Sequence, residues 1–235
     1  MAKQLNIIVT GTSRGIGAGI AEALGGHNVV GQSTRGGDPA VAADFNDPDQ
    51  VTAFWWEAVG RLGGRVDVLI NNAGMFEATP IEQGDAHWLT GWERTMQVNL
   101  TASAALCRLA VLHFREKGGG RIVNVASRAA YRGDSPQHWH YAASKAGMVA
   151  VTKTVARGYA AENILAFAVC PGFTMTGMAE EYLASRGGDK LLADIPLGRV
   201  AAVEEVAETV RWLAVDAPPS ATGAVIDVNG ASYVR

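Results

Sequence analysis

The run Thr10-Gly11-Thr12-Ser13-Arg14-Gly15-Ile16-Gly17 limits this chain to few folds. It follows a short β-rich stretch, Leu5 to Thr10, and opens a helical pattern from about Ile16 to Leu24. Glycine permits a tight turn and a close approach of backbone to an anion. A helix that starts at such a turn presents unpaired N–H groups and the positive end of its dipole. Strand, glycine turn and helix in that order predict a phosphate-binding βα unit. Three glycines alone leave an ordinary βα turn open.

The rest of the chain alternates in the same way. Further strands are expected at 28–33, 41–44, 66–71, 121–126, 163–170 and 224–228. Helices are expected at 48–61, 86–97, 100–117, 138–159 and 203–215. Asp47 is an N-cap for the helix that Pro48 opens, and Gly118-Gly119-Gly120 stops another. The strands are nearly continuous apolar runs, as in parallel sheets covered on both faces. The pattern predicts an α/β fold: a Rossmann-like, doubly wound, mostly parallel seven-stranded sheet with helices on both faces. No repeat or linker divides residues 1–235, which read as one dinucleotide-binding catalytic domain. Within it, 174–200 reads as a substrate flap around Gly187-Gly188-Asp189.

Composition narrows the partners. Hydrophobic residues make up 48% and charged residues 18%, enough for a core and too apolar for disorder. The formal charge is −3 with no basic stripe, which argues against nucleic acid. Cys107 and Cys170 lie in apolar runs and read as buried, reduced thiols. No Cys/His cluster has metal-ligand spacing, so no metal is expected. No apolar segment is long enough for a bilayer and no signal-like segment opens the chain, so the expected location is the cytoplasm.

The end of the second strand speaks to the cofactor. An NAD-binding unit usually places an acid there for the ribose hydroxyls. Here it reads Gly31-Gln32-Ser33-Thr34-Arg35, with no carboxylate until Asp38. Arg35 with Ser33 and Thr34 could bind a 2′-phosphate, and Arg14 could reach the same group. NADP is favoured, with NAD as the alternative.

Tyr141 and Lys145 stand four apart on one helix face. A free phenol has a pKa of about 10, and a nearby ammonium favours the phenolate. A phenol so tuned can exchange a proton with a carbonyl or alcohol oxygen. A surface pair is the plain alternative. Ser127 ends the fifth strand, at the sheet edge where open α/β folds place ligands, although a strand-end cap would look the same. Asn99 sits at the junction of two helical stretches. Asn forms helices poorly, which suits either a helix cap or a polar task such as holding a water next to Lys145.

Together, Thr10-Gly-X-X-X-Gly-X-Gly17, Asn71-Asn72-Ala73-Gly74, Asn99, Ser127, Tyr141-X-X-X-Lys145 and Pro171-Gly172 resemble the short-chain dehydrogenase/reductase family over essentially the whole chain. The resemblance implies hydride transfer between a nicotinamide cofactor and a carbonyl/alcohol pair. Tyr141 would be the general acid/base and Ser127 the group that orients the carbonyl. Lys145 would lower the phenol pKa and hold the nicotinamide ribose, and Asn99 would anchor a relay water. Cofactor contacts would come from Gly11, Ser13, Arg14, Gly15, Ile16 and Gly17 in the turn, and from Ser33, Thr34 and Arg35. Asp44 and Phe45 would lie at the adenine, and Asn72, Ala73 and Gly74 along the adenine ribose. Tyr141 and Lys145 would touch the cofactor too, with Pro171, Gly172, Thr174 and Thr176 around the nicotinamide.

This chain departs from the family pattern in three places. The Ser127–Tyr141 gap is about one residue longer than usual, the loop at Gly25-Gly26-His27 is short, and Gly177 replaces a family acid. The substrate pocket is expected between residues 129–139, Met75-Phe76 and 174–195, with His138, Trp139, Tyr131 and Phe76 giving it an aromatic lining. Arg128 or Arg132 would meet an anionic substrate group, or simply backbone and solvent. The resemblance also implies a homotetramer or homodimer. The rival readings are a cofactor-binding regulator with little turnover and a sugar-nucleotide epimerase or dehydratase, although the latter's substrate lobe and turn pattern are lacking.

Overall fold

The computed structural model describes residues 4–37, 39–175 and 192–235. Asp38, Thr176, Gly177, Gly187-Gly188-Asp189 and most of the expected 174–200 flap lie outside the described residues.

Seven strands form one sheet: β1 Asn6–Thr10, β2 Asn28–Ser33, β3 Ala40–Ala42, β4 Val68–Asn71, β5 Gly120–Val125, β6 Ile164–Pro171 and β7 Val225–Val228. Their order is β3-β2-β1-β4-β5-β6-β7. Every pairing is parallel, so the sheet is wholly rather than mostly parallel. The order reverses between β1 and β4, which creates the crevice where doubly wound sheets take ligands.

Alternation along each strand feeds two cores. Ile7, Val9, Ile70, Val123, Phe167 and Val169 point to one face. They meet Ile20 of α1 (Gly15–Ala23), Leu24 at its C-cap, and Val206, Val210 and Leu213 of α7 (Val203–Val215). Ile8, Leu69, Ile122 and Ala166 point to the other face. They meet Phe54 and Trp55 of α2 (Pro48–Arg61) and Leu106, Ala110 and Phe114 of α4 (Ala102–Lys117). Burial on both faces explains why the strands read as unbroken apolar runs. α2 starts as expected, with Pro48 at its first position and the Asp47 side chain accepting the Asp49 N–H at 2.9 Å.

Three local features differ from the sequence reading. α3 (Asp85–Met96) and α4 do not break apart; a π-helical turn, Gln97–Thr101, joins them, and Asn99 lies buried inside it. Asn99 is therefore no helix cap. Single π turns recur at functional sites, because the extra residue redirects a side chain. A short helix, α5 (Ala129–Arg132), precedes α6 (Trp139–Tyr159). β6 includes Pro171 as its last residue, where a missing N–H costs least; its carbonyl still accepts the Arg128 N–H at 2.9 Å.

Phe167 is fully buried in β6, one strand in from the edge of the sheet. Phe167→Ala should cost about 3–5 kcal/mol of stability through lost burial and a residual cavity. Trp56→Ala, at an exposed position on α2, should stay within about 0.5 kcal/mol. Urea unfolding of the two variants checks the contrast.

Candidate active site

The glycine turn is built for close approach. Gly11 has φ +73°, and a Cβ there would lie 2.8 Å from the Ala73 Cα. A Cβ on Gly17 would lie 2.0 Å from the Gly11 carbonyl oxygen, which no side chain can accommodate. Thr10 locks the turn to the end of β4: its hydroxyl accepts the N–H of Asn72 at 3.0 Å and of Ala73 at 2.9 Å. Asn72 turns its amide into the turn and donates to the carbonyls of Thr10 and Gly11. Arg14, at the N-cap of α1, is extended and makes no side-chain cap, and the first turn of α1 holds no acid. The leading amides of α1 thus face no protein side-chain acceptor, which is the donor set a pyrophosphate requires. The turn fits a dinucleotide.

Around it, the expected contacts divide. Ser13, Arg14, Thr34 and Arg35 are exposed, and neither Arg14 nor Arg35 has an ion-pair partner among the described residues. The Ser33 hydroxyl is occupied locally with the Gly36 backbone. Asp44 accepts from the backbone and side chain of Asn46, while Phe45 is buried against Phe54. Ile16 points its side chain into the α1–α7 core. Gly172 packs on Asn229, where a Cβ would lie 2.8 Å from the Asn229 Cβ, and the Thr174 hydroxyl donates to the Gly172 carbonyl.

The catalytic candidates do converge. The Ser127 hydroxyl, just past the end of β5, accepts the Ala129 N–H at 3.1 Å and faces the Tyr141 phenol closely enough to favour its phenolate. Lys145 is only 4% exposed; its Nζ donates to the Val125 carbonyl at 2.9 Å and lies 5.8 Å from the Tyr141 ring centre. A Cβ added to Gly74 would sit 3.4 Å from Asn99 Oδ1 and 3.5 Å from Lys145 Nζ, so both polar groups flank that glycine. Asn99 accepts the Met75 N–H at 2.8 Å and donates to the Met75 carbonyl and the Ser144 hydroxyl.

Burial governs the acidities here. It pushes the Tyr141 phenol up to about 12, against the Ser127 hydroxyl, which favours the phenolate. It also pulls the Lys145 ammonium down to about 8. Sequence reasoning expects the cation to lower the phenol; in the folded chain burial raises it, and the group that opposes burial is Ser127 rather than Lys145.

Sequence reasoning missed two supports. Gln32 is buried in β2; its Oε1 accepts the Gly11 N–H at 2.9 Å and its Nε2 donates to the Ala43 carbonyl at 2.7 Å. A lone amide in an apolar strand was the available signal. His140 accepts the Tyr141 N–H on Nδ1 at 2.7 Å, which leaves Nε2 to donate to the Thr79 hydroxyl, also at 2.7 Å. Burial lowers its pKa and keeps the ring neutral, as that arrangement needs. The expected aromatic lining is half present. Phe76 stacks on His138 with ring centres 3.9 Å apart and meets Tyr141 edge-on at 4.8 Å. Trp139 instead packs on Trp88 of α3, and Tyr131 on Tyr233, because neighbouring elements offer those rings closer aromatic partners.

Among the described residues, no group of three or more His, Cys, Asp or Glu could hold a metal ion, and no helix is long and apolar enough to cross a membrane. Comparison with known proteins agrees with the geometry. A family model described as enoyl-(acyl carrier protein) reductase matches residues 11–231. The chain is 36% identical to 3beta-hydroxysteroid dehydrogenase 1 of Eggerthella lenta, covering 97% of this chain and 93% of that protein. It is 34% identical to cis-4-hydroxycyclohexanecarboxylate dehydrogenase of Sinomonas cyclohexanicum, with 95% and 94% covered. It is 32% identical to acetoacetyl-CoA reductase of Rhizobium meliloti, with 96% and 97% covered. The ligand-free aldohexose dehydrogenase of Thermoplasma acidophilum superposes with a TM-score of 0.87 at 28% identity, covering 99% of this chain and 95% of that one. The glycine turn, the grouping of Tyr141 with the buried Ser127, Lys145 and Asn99, and these relatives lead to one conclusion: the chain belongs to the short-chain dehydrogenase/reductase family and is an NAD(P)-dependent oxidoreductase of carbonyl/alcohol pairs.

Proposed function

We propose that the chain is an NADP(H)-dependent carbonyl reductase, or alcohol dehydrogenase in reverse, with Tyr141 as its acid/base. The observation that carries this reading is the buried Lys145 ammonium, tied to Val125 and 5.8 Å from the Tyr141 ring, with Ser127 facing the phenol at the edge of the dinucleotide crevice. The cofactor, when bound, supplies or accepts the hydride. It would be held by the backbone of the turn from Gly11 to Gly17, by Asp44 and Asn72 to Gly74 along the adenosine, and by Pro171, Gly172, Thr174 and Thr176 near the nicotinamide.

The chain's own groups handle position and proton. The Ser127 hydroxyl holds the substrate oxygen against the phenol, which fixes the reacting carbonyl. Tyr141 gives its proton to that oxygen in reduction and takes it back in oxidation. A phenol that stays protonated well past neutrality is ready as an acid. Lys145, anchored on the Val125 carbonyl, supplies the positive charge that steadies the phenolate as it forms. Asn99, held in the π turn, flanks Gly74 together with Lys145, and a relay water beside it would reconnect Lys145 with solvent.

Arg35 and Arg14 support the choice of NADP, since both are exposed beside the crevice without carboxylate partners among the described residues. The whole chain would act as one catalytic unit, with 174–200 covering the substrate. The free, buried thiols of Cys107 and Cys170 suit the reducing cytoplasm. Leu112, exposed on α4, suits a homotetramer or homodimer joined through that helix.

Three outcomes are expected. Tyr141→Phe should lower kcat by about 10²–10⁴-fold, the usual share of acid–base catalysis, with NADPH affinity within about twofold. Steady-state kinetics and fluorescence titration read both quantities, and a normal kcat would remove Tyr141 from its role. Arg35→Ala should weaken NADPH about tenfold, the value of one charge-assisted hydrogen bond, and leave NADH nearly unchanged. Equal losses for the two dinucleotides would reject the 2′-phosphate contact. In the protein alone, the Tyr141 contribution to the tyrosinate difference spectrum (wild type minus Tyr141→Phe) should appear only as pH nears about 12. Oxidised dinucleotide, which brings positive charge to the cleft, should move that onset to lower pH.

A further inference from the structure

Arg128 follows Ser127 directly in the chain, and its side chain is only 11% exposed. A guanidinium carries five N–H donors. Among the described residues its one polar contact is a long one, 3.4 Å from Nη1 to Asp194 Oδ2. Its flat face lies 4.8 Å over the ring of Phe173, next to Pro171-Gly172. Arg132, one turn further along α5, reaches the same Asp194 oxygen at 2.7 Å and also donates to the Ser232 carbonyl. Two guanidiniums thus share a single carboxylate oxygen. Asp134 also faces Arg128, but its carboxylate accepts the Ser135 N–H at 2.8 Å. Asp194 is about half exposed and has no tie other than these two arginines among the described residues.

A nearly buried arginine that uses so little of its donor capacity is costly as pure scaffolding. Next to a hydroxyl that orients a carbonyl, it is economical as a ligand contact, because a fork of N–H donors matches a carboxylate. We propose that Arg128 and Arg132 form a carboxylate subsite beside the Ser127–Tyr141 pair, so that the substrate is an oxo acid or its hydroxy acid, and that Asp194 stands where the substrate carboxylate binds. The inference names the substrate class of the site proposed above and rests on that reading. In the complex the substrate carboxylate spans both arginines and Asp194 turns to solvent. Discrimination against uncharged ketones comes from leaving Arg128 without that anion.

The test measures binding rather than turnover. Dissociation constants are determined by calorimetry for 3-oxobutanoate, 4-oxopentanoate and 5-oxohexanoate and for their methyl esters, each with saturating oxidised dinucleotide, where no reduction occurs. At least one acid should bind tenfold or more tightly than its ester. Arg128→Leu should bring that ratio below twofold. Asp194→Asn, an exposed change that removes the competing carboxylate, should tighten the acid threefold or more and leave the ester within twofold. Equal or absent binding of acid and ester in the wild type overturns the subsite. So does an Asp194→Asn protein with an unchanged ratio, the result expected if the arginines only pin that loop. Turnover of the same compounds with reduced dinucleotide reports separately on Tyr141. A chain that binds acids through Arg128 but reduces none keeps the subsite and refutes the reductase reading.

Discussion

The molecule is organised around the contact between the end of β1 and the end of β4. The Thr10 hydroxyl accepts two backbone N–H groups from Asn72 and Ala73, and the Gly11 backbone comes within reach of the Ala73 Cα. That contact sits where the strand order reverses, so the crevice of the parallel sheet opens there. Without a Cβ at positions 11 and 17 the turn can fold against β4 and still aim the start of α1 outward. Gln32 braces the other side by linking Gly11 to the end of β3. Three strands thus fix one loop, and every later step of recognition depends on that loop's shape.

The chemistry is set by how deeply the sheet edge is buried. Tyr141 and Lys145 sit in surroundings that resist charge on both, which raises one acidity constant and lowers the other. Such a site holds its proton on oxygen and keeps Lys145 charged at neutral pH while making that charge easier to lose above it. A developing phenolate there gains more from the nearby ammonium than it would in water, because the local dielectric is low. The neighbours are arranged to hold position. His140 takes the Tyr141 N–H, Val125 takes the ammonium, and Asn99 is clamped by Met75 inside a π turn.

On the substrate side, polarity is uneven. Phe76 and His138 form a stacked pair against Tyr141, while Arg128 and Arg132, in the segment that follows Ser127, gather around Asp194. An apolar wall on one side and paired guanidiniums on the other would orient a ligand that is apolar at one end and anionic at the other. Residues 128–140, the segment between Ser127 and Tyr141, contribute His138 to the first feature and Arg128 and Arg132 to the second.

The fold was legible in the sequence, because β1, β2 and α2 announce themselves through local rules: apolar runs, a glycine turn, and Asp47-Pro48 at a helix start. The proposed catalytic pair was legible for the same reason, since Tyr141 and Lys145 share a helix face by spacing alone. The sequence could not show that α3 and α4 fuse through a π turn, as that depends on where Asn99 finds partners, namely Met75 and Ser144, both at least 24 residues away. Nor could it show that Gln32 and His140 support the site, or that Trp139 and Tyr131 turn to other rings. By itself the sequence determined the order of elements and named the candidate reacting groups, which follow from periodicity and side-chain chemistry. Only the tertiary structure decided the acidity of Tyr141 and the pairing of Arg128 with Arg132 on Asp194, because desolvation and charge proximity arise from packing between segments far apart in the chain.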